Sequence, residues 1–220
     1  MPLAQAIFNR NPVAPSCHAS TIVESAPGRF LAAWFAGTHE GHPDVAIWLA
    51  RCENGTWGAP VKVADEPNVS HYNPLLFRDT TGSVWLFYKI GLSVPTWTGM
   101  LLKSHDGGNT WTVPVMLPAG LIGPAKNKPI LLSNGHILCG TSNETWGSWA
   151  CWVEASTDGG RTWTKHGPIV APGIDTYEAS GEQVVSAVWD EPAGKLVLPQ
   201  HFSGVIQPTM WEYAPGRVKM

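Results

Sequence analysis

Apolar residues in this chain come in short runs broken by polar turns, and the same layout returns four times. TIVESAPGRFLAAW (21–34), LLFRDTTGSVWLFY (75–88), ILLSNGHILCG (130–140) and TMWEYAPGRVKM (209–220) each read as a strand, a glycine-containing turn and a second strand. The turn glycines are Gly28, Gly82, Gly135 and Gly216, separated by 54, 53 and 81 residues. The second copy can be followed in full, with strands over 74–78, 83–90, 98–104 and 112–116 and no helical periodicity between them. Four short antiparallel strands per roughly 50 residues, repeated, predict an all-β chain built as a β-propeller. The last unit carries extra residues, including an expected hairpin at 184–199.

A second repeat runs in step with the first. SHDGGNTW (104–111) and STDGGRTW (156–163) share Ser-x-Asp-x-Gly-x-Thr-Trp and begin 52 residues apart. An eroded copy, ENGTW (53–57), places its Trp 54 residues before Trp111. The Asp and Ser side chains suit hydrogen bonds to nearby backbone, and the glycines permit positive φ. The Trp is expected to pack back over the hairpin it closes. Such a turn lies on the outside of the fold, so the motif predicts scaffold and not catalysis. The blades then fall at about 11–63, 64–116, 117–170 and 171–220.

Composition narrows the function classes. Hydrophobic residues are 44% of the chain, enough for a sizeable core. Charged residues are 14%, against about 25% in an average domain. Net charge is -3 and there is no Lys/Arg run, which argues against a nucleic-acid partner. No apolar run nears the roughly 20 residues of a membrane-spanning helix. MPLAQAIFNRNP has neither the length nor the apolar run of a signal peptide, which points to the cytoplasm. Twelve Trp stand against six Phe. Trp34, Trp48, Trp85, Trp111, Trp152 and Trp163 fall in strands or motif turns and read as packing, whereas Trp97 and Trp146 fall in loops suited to stacking on sugar. The cysteines, at 17, 52, 139 and 151, match no zinc or disulfide framework. Cys139 and Cys151 are either bridged across a hairpin centred near Thr145 or two buried thiols. His39, Glu40, His42 and Asp44 gather in THEGHPD, but the spacing is not that of a helical zinc site. No metal and no cofactor are expected.

These repeats resemble the sialidase superfamily, six-bladed propellers whose Ser-x-Asp-x-Gly-x-Thr-Trp turns are called Asp-boxes or BNR repeats. CHASTIVE, AWFAGTHEGHPDVAIWLAR, NVSHYNPLLFRD, KNKPILL and VIQPTMWEYAPGRV are similar to the sialidase-like, BNR-repeat-like subgroup of bacteria and plants. The resemblance implies a substrate pocket over the central axis, where the innermost strands begin. The positions just before those strands are Cys17-His18-Ala19, His71-Tyr72-Asn73, Lys126-Asn127-Lys128 and Val205-Ile206-Gln207. Authentic members use three Arg to grip a sugar carboxylate, a Tyr activated by Glu as nucleophile, and an Asp as general acid/base. Here His18 stands near the place of the first Arg, Asp44 fits the acid/base, and Gln207 stands near the place of the Glu. Arg10, Arg29, Arg51, Arg78, Arg161 and Arg217 all fall at turns, strand ends or the N-terminus.

Three functions are compatible with this pattern. The first is a sialidase-like glycoside hydrolase acting on an acidic sugar of a glycan. Asp44 would donate the proton, Lys126 and Lys128 would hold the carboxylate, and His18, His71, Asn73 and Gln207 would bind and orient the sugar. Asn127 is a hydroxyl binder, and Glu40 lies on the same rim loop as Asp44. The second is a propeller polysaccharide lyase acting on uronic-acid glycans, with His or Tyr72 as base. The third is a non-catalytic glycan-binding propeller. The repeat period also makes 220 residues read as a C-terminally truncated ring of about four blades, with Gln5 to Arg10 a closing strand. Self-association through the open propeller edge, poor solubility and inactivity in isolation are the corresponding expectations.

Overall fold

The computed structural model describes residues 13–145, 148–170, 188–190, 195–197 and 203–220. Trp146 and the stretch Gln5 to Arg10 lie outside them. Among the described residues the regular structure is strand, apart from one 3-10 turn at Val94–Thr96.

The first sheet contains β1 (Ser16–Ala26), β2 (Arg29–Gly37), β3 (Ala46–Glu53), β4 (Thr56–Trp57) and β5 (Val61–Ala64). β4 and β5 both pair with β3, forming an outer edge interrupted at Gly58–Pro60. The second sheet runs β6 (Ser70–Arg78), β7 (Val84–Gly91), β8 (Thr98–Ser104), β9 (Val115–Met116) in chain order. The third runs β10 (Ile130–Leu131), β11 (Ile137–Glu144), β12 (Ser148–Ser156), β13 (Thr164–Ile169). Beyond it lie the pair β14 (Val188–Asp190) and β15 (Lys195–Val197), where the 184–199 hairpin was expected. Next come β16 (Ser203–Gly204), which pairs with β12, and a hairpin of β17 (Trp211–Ala214) and β18 (Arg217–Lys219). The neighbouring pairings within the sheets are antiparallel meanders, while the β12–β16 contact is parallel.

The turn glycines behave as the repeat requires. Gly28, Gly82, Gly135 and Gly216 have φ of 71, 87, 85 and 69°, the left-handed region that a β-carbon disfavours. Both faces of the middle strands are covered by adjacent sheets. β7 is therefore continuously apolar through Val84-Trp85-Leu86-Phe87-Tyr88, all nearly inaccessible. Each such side chain removed from water contributes about 1.5–3 kcal/mol. One core lies between the first and second sheets, around Leu31, Phe35, Ile47, Leu76 and Leu86. A second lies between the second and third, around Phe77, Trp85, Phe87, Ile137 and Cys139.

The two Ser-x-Asp-x-Gly-x-Thr-Trp turns have matching bonds. Asp106 accepts from the Asn109 and Thr110 amides and from Thr110 Oγ1 at 2.6 Å, while Gly108 N donates to Ser104 Oγ. Asp158, Arg161, Thr162, Ser156 and Gly160 reproduce the set. These turns also join neighbouring sheets. Gly108 lies against Leu31 so closely that an added β-carbon would stand 2.5 Å from its Cδ1, and Gly160 lies equally tight on Trp85. Leu31 and Trp85 occupy the same place, three residues beyond Gly28 and Gly82. Arg51, paired opposite Leu31, caps the first turn through Gly108 O at 2.8 Å. Trp111 and Trp163 accordingly pack into the two inter-sheet cores, not merely over their own hairpins. The eroded copy is a different turn. Asn54 and Gly55, both at positive φ, form a two-residue loop between Glu53 and Thr56.

Cys139 and Cys151 are free and buried. Cys139 is opposite Glu154 and Cys151 opposite Ser142, so their side chains leave the sheet on opposite faces. The bridged alternative is thereby excluded.

Candidate functional site

The start of each inner strand is kinked in a repeated way. In β1, residues 19 and 20 face the single residue Trp34 of β2; in β6, residues 73 and 74 face Tyr88 of β7. These are β-bulges, and each places a non-glycine residue at positive φ: Ala19 at 55° and Asn73 at 39°. Gln207, just before β17, has φ 54°. Each of the three is followed by Ser or Pro (Ser20, Pro74, Pro208), so the same backbone device recurs in three units. Backbone held in this region is concentrated where function demands it.

The rim loop between β2 and β3 lies over the first kink. His18 is exposed, and its Nδ1 is 3.3 Å from Glu40 Oε2. Below it runs an aromatic ladder: His18 on Phe35 at 5.3 Å between centroids, Phe35 on Tyr72 at 6.2 Å, and Tyr72 on Trp97 at 5.3 Å. Trp97 thus belongs to the second unit's loop yet packs on the mouth's aromatic floor. Beside it a cleft of about 220 Å³ opens against residues 117–122, with Asn143 in its wall.

Asp44 ends the rim loop. Its carboxylate accepts from Thr38 N at 3.0 Å and Thr38 Oγ1 at 2.6 Å, and lies 2.7 Å from His42 Nδ1. Gly37 leaves the room for this, since a β-carbon there would stand 2.6 Å from Asp44 Oδ1. The two Thr38 bonds, with His42 adding to them, hold the carboxyl down to about 2. At neutral pH Asp44 is an ionised acceptor, which differs from the proton-donor role expected for it.

His71 sits in the core, not at the surface of the mouth. It is fully buried and stacks on Tyr88 at 5.8 Å. Nδ1 donates to Val45 O at 2.7 Å, and Nε2 contacts Glu66 Oε2, which leaves no ring nitrogen for a ligand. Glu66 also accepts from Tyr88 Oη at 2.8 Å. Its bonds to His71 and Tyr88 hold the carboxyl below its usual range although burial raises it. Because Val45 follows Asp44, His71 anchors the end of the rim loop.

Residues from the third and fourth units converge differently. Asn127 Nδ2 donates to Gln207 O at 2.8 Å, tying the connection before β10 to the kink before β17. Lys128 reaches across to Ile22 O of β1, and burial pulls its pKa down. Lys126 makes no hydrogen bond among the described residues. The structure therefore brings His18 to Glu40, Asp44 to His42, and Asn127 to Gln207. It uses Lys128 for a backbone carbonyl and buries Asn73. Arg51 is bonded to the Gly108 turn, away from the strand starts.

Glu66, Lys89 and Glu154 were missing from the sequence reading. Lys89 interrupts the apolar run VWLFYKIG, and Glu154 interrupts WACWVEAS; a lone charge inside such a run was the available signal. Glu66 had no comparable mark, standing among the polar residues of a connection.

Residues 28–220 match the BNR repeat-like domain family. The chain belongs to that family. None of the curated proteins matches it. Among solved structures it is similar to the Hadza microbial sialidase Hz136, with a TM-score of 0.60 and 16% identity over 70% of this chain and 38% of that one. It is similar to the NanB sialidase of Streptococcus pneumoniae (TM-score 0.59, 13% identity, 75% of this chain and 46% of that one). It is also similar to the Trypanosoma rangeli sialidase in complex with sialic acid (0.52, 15%, 71% and 31%). The chain spans less than half the length of these three structures. The likeness establishes the fold: an incomplete propeller of the sialidase type, in which the described sheets do not close into a ring.

Proposed function

We propose that this BNR repeat-like chain forms part of a sialidase-like glycoside hydrolase acting on an acidic sugar of a glycan. The observation that carries this reading is the rim loop, which sets the His42–Asp44 pair and the His18–Glu40 pair beside the recurrent kinks. Asp44, fixed as a carboxylate, orients His42 through Nδ1 and leaves the imidazole's Nε2 toward solvent chemistry. His42 is then the group that passes a proton to the leaving oxygen, and Asp44 stabilises the charge that the ring carries. His18 and Glu40 bind hydroxyls at the same rim, Asn73 shapes the kink that carries them, and His71 holds the loop through Val45. Lys126 supplies a positive charge for the sugar's carboxylate, as a point charge with looser geometry than an Arg fork. Lys128, Asn127 and Gln207 shape the wall on which that charge stands. The similar solved structures, three of them sialidases, support the substrate class.

A second reading, a lyase acting on uronic-acid glycans, is favoured by the exposed imidazole of His18 beside Glu40, a paired base at the mouth. Incubation with sialylated and uronate-containing glycans separates the two. Free acidic sugar without new ultraviolet absorbance is the result expected of the hydrolase. Absorbance from an unsaturated uronate would replace it with the lyase. Binding of either glycan with no product would replace both with a binding module.

A further inference from the structure

Two buried charges, from different sheets, hold consecutive backbone groups of one connection. Glu154, on β12, accepts from Ile122 N at 3.0 Å and Gly123 N at 2.9 Å. Lys89, on β7, donates to Pro124 O and, at 3.3 Å, to Ala125 O. The four residues 122–125 are thus gripped in order, amides by the carboxylate and carbonyls by the ammonium. Ala125 N adds a bond to Gly140 O at 3.0 Å. Lys126 and Asn127 follow immediately. Lys165 extends the arrangement, standing 3.8 Å from Glu154 and donating to Gly120 O at 2.8 Å.

We propose that Lys89 and Glu154 are positioning residues that clamp the 122–125 connection and so present Lys126 and Asn127 at the mouth. Side chains so nearly inaccessible, each at 1% exposure or less, are costly places for charge. Burial pulls Lys89 down to about 7 and pushes Glu154 up, against the attraction between the two charges and the Ile122 and Gly123 amides. Apolar residues of similar volume would fill the same space without that cost. What they could not do is satisfy the Ile122 and Gly123 amides and the Pro124 and Ala125 carbonyls, which lie outside the strand ladders. Bonds at both ends of a four-residue segment fix its path, and a path error of an ångström moves Lys126 off a carboxylate. The inference rests on the proposed site only for its ligand; the clamp itself stands on the bonds.

The test uses Lys89→Met and Glu154→Gln in the full chain, with two readouts. Amide hydrogen exchange reports the clamp. Protection at Ile122, Gly123 and Ala125 is expected to fall at least tenfold in either variant, while the strand amides of β7 and β11 keep theirs. Titration with N-acetylneuraminate and glucuronate reports the positioning, with affinity expected to fall at least tenfold for the probe that the wild-type chain binds. Unchanged protection in both variants would overturn the clamp. Lost protection with unchanged affinity would overturn the positioning role. Should Lys89→Met not fold, Glu154→Gln decides alone, because Gln keeps the volume and one acceptor oxygen. If the wild-type chain binds neither sugar, the functional reading fails, and the exchange data still decide the clamp.

Discussion

Thr38 decides what Asp44 can do. Its amide and hydroxyl both donate to an exposed carboxylate that His42 also approaches, and this outweighs desolvation. Thr38→Val keeps the shape and the amide bond but removes the hydroxyl. The pKa of Asp44, followed by carbon-detected NMR, is expected to rise from about 2 toward the ordinary value near 4. A value unmoved by the substitution would show that the Thr38 hydroxyl does not set the charge. His71 makes a different point. Glu66→Gln leaves the imidazole Nε2 without its carboxylate partner and weakens the hold on Tyr88. Breaking a fully buried pair costs about 3–5 kcal/mol, and Glu66 keeps part of its side chain in water, so about 2–3 kcal/mol is expected from denaturant unfolding. A loss under 0.5 kcal/mol would show that the His71 contact is incidental. The sequence placed His18, His71 and Asn73 near strand starts, because a repeat register reports where strands begin. It could not tell that His71 points into the core, since alternation along β6 is lost where both faces are buried.

At the scale of the element, the Asp of each repeated turn closes it by accepting from four donors within eight residues. Hydrogen bonds to Thr110 and Thr162 are the main cause of the depressed pKa of Asp106 and Asp158. A carboxyl whose folded pKa lies below its unfolded one stabilises the fold above the unfolded value. That contribution is full above about pH 4 and is lost as the pH falls below it. Acid unfolding of the Asp106→Asn/Asp158→Asn chain is expected to be flatter than that of the wild type between pH 4 and 2. Parallel curves would show that the turns do not depend on ionisation. Strand periods, turn glycines and these turns were legible in the sequence because each is a local pattern of a few residues. The eroded ENGTW copy was legible in place but not in kind, since Asn-Gly codes for a two-residue loop of its own.

At the scale of the molecule, the turns act between sheets. Gly108 on Leu31 and Gly160 on Trp85 seat each turn against the preceding unit, and only a residue without a β-carbon fits there at positive φ. Gly160→Ala is expected to destabilise by about 2–5 kcal/mol, combining overpacking with the strain of left-handed backbone. Calorimetry showing less than 1 kcal/mol would mean that Trp85 yields. None of this was legible beforehand, because Arg51 and Gly108 are 57 residues apart and no local pattern records the contact. The Lys89–Glu154 clamp also joins two sheets; a lone charge in each apolar run marked its residues, but no local pattern recorded their shared partner. The molecule thus has two ends: one where turns latch sheets together, and one where kinked strand starts and the 38–44 loop bring His18 to Glu40 and His42 to Asp44. The most direct measurement of that division is amide chemical-shift mapping while N-acetylneuraminate or glucuronate is added. Shifts confined to His18, residues 38–44, Asn73 and residues 126–127 are the predicted result. Shifts at 104–110 and 156–162, with the strand starts silent, would contradict it.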